Sequence, residues 1–559
     1  MRNIYKILAL ALLALPFTSC KHYLDEDPKG QLMSTSAFSQ PSDLDGAVHA
    51  LQFINKYVGH YNSYFSQSLL GDDINSISTK TKYLRQDCYE FDDADDLVTD
   101  PWWRYWLSIK AANFIINGGD KTPGVTEDQL NRDLGIAYFW RGYWYFFLVR
   151  TFGKLPMNID NSIDLEKDLS SEEEIYEQIV SDLKTAEEML PMNYDSSPWA
   201  TNGYNIAANK AAAQATLAQV YLTMAGWPLK KGQEYYTLAA TEAKKLIDDV
   251  KAGKYYYALF ENYGDNFSRK YNYAQKEAIL ALYYSADYDD GNGSQCSRAC
   301  ADAVTESGGY SNARCELKFW LNFPPGPRKK ATYGDVYYHN GDKKVVPWFY
   351  SNAIGYTPYM LKTMQSDAGE FDQTVAWNKQ SSMWRDQTRS FIRLSEVYLC
   401  YAEALGRSGQ VNQEAIDLVN IVRNRADGQG VSTSRADGSA NVYPNSLTAA
   451  QLAEAAYNEH GWEAACYHYG YACRYFDMRR MERVKEHFEY RKQNPAIEVT
   501  GQWLLENPDK ADMVTGPVSL KEPGEIAVEW SEKLLYFPYP AYDKALNDKL
   551  KDPDAVTVQ

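Results

Sequence analysis

Residues 393–426 read RLSEVYLCYAEALGRSGQVNQEAIDLVNIVRNRA. Leu394, Val397, Tyr398, Tyr401, Ala404 and Leu405 recur at three- and four-residue steps, which places them on one apolar helical face. Gly406 and Gly409 bracket a tight turn. Ala415, Leu418, Val419 and Val422 then repeat the pattern, and Gly428 supplies a stop signal. Two amphipathic helices joined by so short a turn fold back antiparallel. The stretch therefore predicts a helical hairpin.

The same scheme occurs upstream. NKAAAQATLAQVYLTMAG (209–226) precedes EYYTLAATEAKKLIDDV (234–250), and DLGIAYFWRGYWYFFLVRTFG (133–153) precedes SEEEIYEQIVSDLKTAEEML (171–190). Each first helix carries small residues and a tyrosine and is closed by a glycine; each second helix has Ala and Leu at packing positions. This is similar to the tetratricopeptide style of hairpin, in which small residues let helices approach closely. The spacing between hairpins is not constant, so the expectation is a mainly α scaffold of diverged hairpins with insertions. An earlier helix around PWWRYWLSIKAANFIING (101–118) is expected to pack on the first hairpin.

Between residues 252 and 388 helical periodicity fades, and Gly, Pro, Asn and aromatic residues dominate, as in FPPGPRKKATYGDVYYHNGDKKVVPWFYSNAIGYTPY (323–359). From Tyr310 to Trp384 there are 15 aromatic residues in 75, denser than the 14% of the whole chain, which argues against disorder. A helical scaffold carrying an irregular, ring-rich block is a common way to build a binding surface. The expected organisation is a signal segment over 1–19, an N-terminal helical region over 20–251, a loop-rich ligand-binding region over 252–388 and a C-terminal helical region over 389–559. The last two are expected to interweave with the N-terminal helices as one globular unit.

The amino terminus has Arg2 and Lys6 ahead of an apolar run from Ile7 to Leu15, too short to span a bilayer, which needs roughly twenty residues. It fits a removable secretory segment. Thr18-Ser19-Cys20 resembles a bacterial lipoprotein box, with Phe17 in place of the usual aliphatic residue, so Cys20 is expected to carry acyl chains that hold the protein at a membrane. Without residues 1–19 the chain has 55 basic and 74 acidic residues, a balance of −19 that argues against nucleic acid as a partner. Seven cysteines remain, at 88, 296, 300, 315, 400, 466 and 473. Their odd number and irregular spacing are no disulfide framework, although export permits a bridge among Cys296, Cys300 and Cys315.

Five segments in order resemble the SusD/RagB family of surface lipoproteins: CKHYLDEDPKGQL (20–32), AYFWRGYWYFFLVRTFGKLPM (137–157), residues 393–426, RYFDMRR (474–480) and YFPYPAYDKALN (536–547). Two places depart from the family pattern: about four extra residues ahead of Arg474, and KDPD in place of the closing Asn-Pro-Gly-Tyr. The resemblance implies a non-enzymatic lid on a TonB-dependent SusC-like transporter, lipid-anchored on the outer face of the outer membrane and capturing oligosaccharide. In some branches of the family the captured nutrient is oligopeptide, delivered to a RagA-like transporter. A surface glycoside hydrolase and a helical-repeat scaffold without a small ligand are the readings from other classes.

Sugar rings lie on indole or phenol faces while their hydroxyls meet carboxylates, amides and Arg or Lys. Two stretches have that composition. GDDINSISTKTKYLRQDCYEFDDADDLVTDPWWRYW (71–106) offers Asp73, Tyr83, Arg85 and Trp102 as ligand contacts, with Asp72 and Trp103 in the same stretch. GGYSNARCELKFWLNF (308–323) and VPWFYSN (346–352) offer Tyr310, Asn312, Trp320 and Trp348. The competing reading makes Trp103 and Trp106 core of the first helix and puts Trp320 beneath a loop. DDADDLVTD (92–100) and DYDDGNGS (287–294) have oxygens for calcium but not the EF-hand arrangement, so solvated acidic loops are expected and no cofactor. His460, Cys466, His468 and Cys473 suit zinc by type, but their intervals match no zinc motif, and no metal site is assigned. No catalytic motif or triad is assignable, so no catalytic residue is named. Arg393, Glu396 and Glu403, and likewise Arg474, Asp477 and Arg479, lie on apolar helical motifs, where internal ion pairs are expected rather than chemistry.

Overall fold

The computed structural model describes residues 37–58, 66–77, 81–162, 164–195, 198–283, 312–339, 341–350, 357–364, 372–376, 379, 388–466 and 473–551. Nine helices of fourteen residues or more form the scaffold among these: α1 (Pro41–Val58), α2 (Asp96–Gly119), α3 (Glu127–Phe152), α4 (Glu172–Met189), α5 (Lys210–Ala225), α6 (Gln233–Lys251), α7 (Leu394–Arg407), α8 (Gln413–Ala426) and α9 (Ala449–Glu463). Their starts follow from local chemistry. Thr126 accepts the Gln129 N–H at the head of α3, and Ser171 with Glu174, and Thr448 with Gln451, form reciprocal capping boxes on α4 and α9. α3 stops at Gly153, whose φ of +75° suits glycine.

From α1 to α7, helices pack in sequence, each on the next, and α7 lies against both α6 and α9. Every residue of α5 from Ala211 to Ala225 is buried, as is nearly all of α3 beyond Asp133, so these two are central helices with neighbours all round. α4 and α6 keep one polar face. The hairpin expected over 393–426 is present as α7 and α8, but Gly406 belongs to α7 rather than to the turn. A Cβ there would come within 2.6 Å of the Ala449 carbonyl and 2.7 Å of the Ala453 N, so this glycine permits the close approach of α9. Gly409, at φ +84°, makes the turn.

The irregular block leaves and rejoins the scaffold at one place. Ala278–Leu282 pairs antiparallel with Arg389–Arg393, Ala278 opposite Arg393 and Leu282 opposite Arg389. Within the block are the short helices Leu317–Asn322 and Pro327–Thr332 and a hairpin pairing Val336–His339 with Lys344–Pro347. Its rings turn inward. Trp320 meets Trp348 edge-on at 5.1 Å, Trp348 meets Phe349 at 5.1 Å, and Phe349 meets Trp503 at 5.5 Å. Among the described residues the aromatic density that reads as a binding surface is thus largely interior, continuous with the core of the helices, and the reason is geometric. Elements of four to six residues have few apolar positions each, and large rings supply the buried area that longer elements obtain from many aliphatic ones.

The C-terminal segment closes over the end of α3: Phe537 N–H donates to the Thr151 carbonyl at 2.8 Å and Tyr539 hydroxyl to that of Lys154 at 2.6 Å. Among the described residues no helix is long and apolar enough to cross a membrane.

Candidate functional site

The two stretches nominated from sequence meet in space. Ile74–Asn75 pairs antiparallel with Arg314–Cys315, and Glu316 N–H donates to the Asp73 carbonyl at 3.3 Å. This junction is buried, and it corrects the expected contact residues. Asp73, Tyr83, Trp102, Asn312, Trp320 and Trp348 are all interior. Asp73 accepts the Cys466 N–H at 2.7 Å, and burial, with the charge of Asp72 beside it, pushes its carboxyl up to about 7. Trp102 packs edge-on against Phe152 at 4.9 Å and Tyr539 at 5.7 Å. Rings enclosed on all sides offer no face to a sugar. Arg85 is half-exposed, bonded to Asp92 at 3.4 Å. Tyr310 and Cys20 lie outside the described residues, as do Cys296, Cys300, His468 and DYDDGNGS. Cys315 is a buried free thiol.

The exposed ring of this region is Trp103, at 40%. Helical phase explains it: Trp102, Tyr105, Ile109 and Ala112 share the buried face of α2, while Trp103 and Lys110, seven residues apart, point outward. That periodicity puts the two adjacent tryptophans on different faces, and the packing of Phe152 and Tyr539 on Trp102 decides which of the two is covered. The Trp103 indole N–H donates to Asp100 at 3.0 Å and the Arg104 guanidinium lies 4.5 Å from the ring centroid, so the ring is held in place. Asp96, on the same face and about 10 Å along the axis at 1.5 Å per residue, pairs with Lys82 at 2.5 and 2.6 Å. The result is an aromatic-and-charged strip running from Lys82 and Arg85 through Asp96 and Asp100 to Trp103.

The acidic run 92–100 is spent on structure. Asp92 bonds Arg85, Asp93 pairs with Lys544, Asp95 caps α2 through the Leu97 N–H, and Asp100 lies 3.6 Å from Arg104. Nearby, Asp72 pairs with Arg474 at 2.8 and 3.1 Å at the edge of a cleft of about 240 Å3 lined also by Lys318, Phe319 and Trp462. Among the described residues no three His, Cys, Asp or Glu side chains converge as a metal requires. His460 Nδ1 lies 2.8 Å from Asp477 instead.

The motif arginines and glutamates form buried clamps. Glu463 receives Arg393 at 3.0 Å, Arg328 at 3.2 Å and Arg425. Arg425 also holds Glu277 at 2.6 Å, and Arg328 holds Glu459 at 2.8 Å. Burial alone would raise the Glu463 carboxyl, but the guanidinium groups of Arg425, Arg393 and Arg328 outweigh it and hold it at about 2. Arg480 grips Glu403 bidentately at 2.8 and 2.7 Å and Asp477 at 2.8 Å. Arg479 donates to the carbonyls of Arg150 and Leu535. The clamps on Glu463 and Glu403 each tie a residue of α7–α9 to another element, and Arg479 ties the end of α3 to the C-terminal segment, which accounts for charge on apolar motifs.

Comparison with known proteins agrees with this architecture. Residues 22–222 match a family described as starch-binding associating with outer membrane, and residues 172–552 match the SusD family. The SusD-like protein P2 of Formosa agariphila is 27% identical over 443 residues, 76% of this chain and 81% of that protein. A SusD homolog from Bacteroides thetaiotaomicron superposes with a TM-score of 0.67 at 19% identity, covering 92% of this chain and 97% of its own. A crystal structure with xylogluco-oligosaccharide superposes equally well, with a TM-score of 0.67 at 19% identity over 91% and 98% of the two chains. The SusD family match spans more than half of the chain, and the chain belongs to that family.

Proposed function

We propose that this protein is a cell-surface lipoprotein that captures oligosaccharide without cleaving it and delivers it to a TonB-dependent SusC-like transporter in the outer membrane. Acyl chains on Cys20 anchor it there. Family membership supports the reading, as does the xylogluco-oligosaccharide in a structure of the same fold. The observation that carries it is the outward indole of Trp103, pinned by Asp100 and Arg104 beside the Lys82–Asp96 pair and Arg85. A pyranose ring stacks its C–H face on such an indole while the flanking charges bond its hydroxyls.

The test uses the soluble chain beginning after Cys20 and calorimetric titration against plant, fungal and mucin oligosaccharides. One or more glycans should bind, Trp103→Ala should weaken the binding at least tenfold, and overnight incubation should release no shorter product. Binding of oligopeptides but no glycan would overturn the reading, and product formation would replace it with a hydrolase. In the native host, labelled palmitate should mark the parent and not Cys20→Ala, and the transporter should co-purify with the parent.

A further inference from the structure

A cleft of about 920 Å3 opens between the C-terminal segment 528–539 and the ends of α3 and α5, away from the residues assigned above. Its walls are rings. Trp227 and Tyr536 stand 5.6 Å apart with their planes at 37°, forming a half-exposed wedge. Phe91 lies beside it against Phe537 at 5.2 Å. The wedge is rigidly backed: Trp227 N–H donates to the Arg480 carbonyl at 3.0 Å, and the Arg479 guanidinium lies 5.4 Å from the Trp227 centroid and 4.8 Å from that of Tyr536.

The polar groups decide what such a wedge would hold. Glu172, the first residue of α4, reaches the cleft with one carboxylate oxygen accepting the Tyr536 hydroxyl at 2.5 Å. Its other oxygen, Oε2, is shielded from solvent and has no hydrogen-bond donor. Oε2 is closed to an occupant as it is to water, so what Glu172 offers the cleft is the second acceptor position of Oε1 beside the Tyr536 hydroxyl, which an occupant bearing hydroxyl donors can use. The lining charges nearly cancel, with Glu90, Glu172 and Glu532 against Lys154 and Lys533, and Arg479 lies behind the rings. That balance selects neither an anionic nor a cationic ligand. The volume is at the upper end of small-molecule sites, enough for several linked rings.

We infer that this cleft is a second carbohydrate site, taking a neutral pyranose chain with one ring in the Trp227–Tyr536 wedge and a hydroxyl donating to Glu172. Trp102, the chain neighbour of the Trp103 platform, packs on Phe152 and Tyr539 of the cleft, so the two sites flank one aromatic cluster. A long glycan bound at both gains effective concentration at the second once held at the first. The inference rests on the proposed glycan function only for the class of ligand.

The experiment labels the soluble chain with 5-fluorotryptophan, identifies the Trp227 resonance by its loss in Trp227→Phe, and titrates xylogluco-oligosaccharide, cellohexaose and maltohexaose to millimolar concentration. The Trp227 signal should move saturably in the parent and in Trp103→Ala, and Glu172→Gln should weaken that response at least fivefold with the parent's circular dichroism retained. A silent Trp227 while the Trp103 signal moves would refute the second site and leave the glycan function standing. Silence at both with every glycan would remove both. A response of Trp227 to an apolar tripeptide but to no sugar would overturn the ligand class, and a sugar response unchanged in Glu172→Gln would overturn the assigned contact.

Discussion

Replacing Glu463 with glutamine removes one negative charge from the centre of three buried guanidinium groups while keeping the side chain's shape. The cost can be worked in two ways. The Glu463 carboxyl is held at about 2 in the fold against 4.5 as a free group, and at about 1.4 kcal/mol per pH unit the fold favours its ionised form by about 3–4 kcal/mol. Breaking a buried pair by deleting one partner costs about 3–5 kcal/mol. The lower figure fits here because Arg425 keeps Glu277, Arg328 keeps Glu459, and Arg393 keeps Glu396 at 3.7 Å. Urea unfolding of the soluble chain at pH 7, followed by tryptophan fluorescence and far-UV circular dichroism, should therefore show Glu463→Gln less stable by about 3 kcal/mol. Glu454, 44% exposed and paired with Arg483 at 2.6 Å, is the control; its glutamine variant should lose at most about 1 kcal/mol. The sign with pH is fixed by linkage. A depressed carboxyl stabilises above its unfolded pKa and loses that contribution as pH falls through its folded one. The gap between parent and Glu463→Gln should thus be full above pH 4.5 and close toward pH 2. A gap under about 1 kcal/mol at pH 7, or one that persists at pH 2, would refute the clamp.

Three further outcomes are expected. Gly406→Ala should destabilise by about 1–3 kcal/mol, because its Cβ meets the backbone of α9; Gly409→Ala, with open space but φ +84°, should cost only about 1 kcal/mol, and the reverse order would contradict the packing. Burial raises Glu522 to about 7, so stability from its protonated form is lost as pH rises from 4.5 through 7, and Glu522→Gln should flatten the melting temperature across that window. Trp102→Ala should cost about 3–5 kcal/mol of stability while the folded protein keeps its sugar affinity. Trp103→Ala should do the opposite, and paired melting and calorimetry on the two variants separate the roles.

The hairpins were legible because helix formation is local. Apolar residues at three- and four-residue steps, capping residues such as Ser171 and Thr448, and a left-handed glycine such as Gly409 act within a few positions of chain. The motif charges were legible as internal because an arginine on an apolar face must meet an acid or carbonyl oxygens, as Arg425 and Arg479 do. Which acid was not legible. Arg425 meets Glu277 across 148 residues and Arg474 meets Asp72 across 402. Residue type likewise marks the stretches around Trp102 and Trp320 as rich in sugar-binding side chains, but not which way their rings turn. That was decided when Ile74–Asn75 zipped to Arg314–Cys315 and the C-terminal segment closed over α3, drawing Trp102 inward and leaving its neighbour Trp103 outside. The Trp227–Tyr536 wedge had no signal at all in the sequence, since its two rings come from segments some three hundred residues apart. Periodicity and capping depend on near neighbours and so are written in the chain. Whether a large ring becomes core or platform depends on which distant segment packs on it, and only the assembled fold settles that.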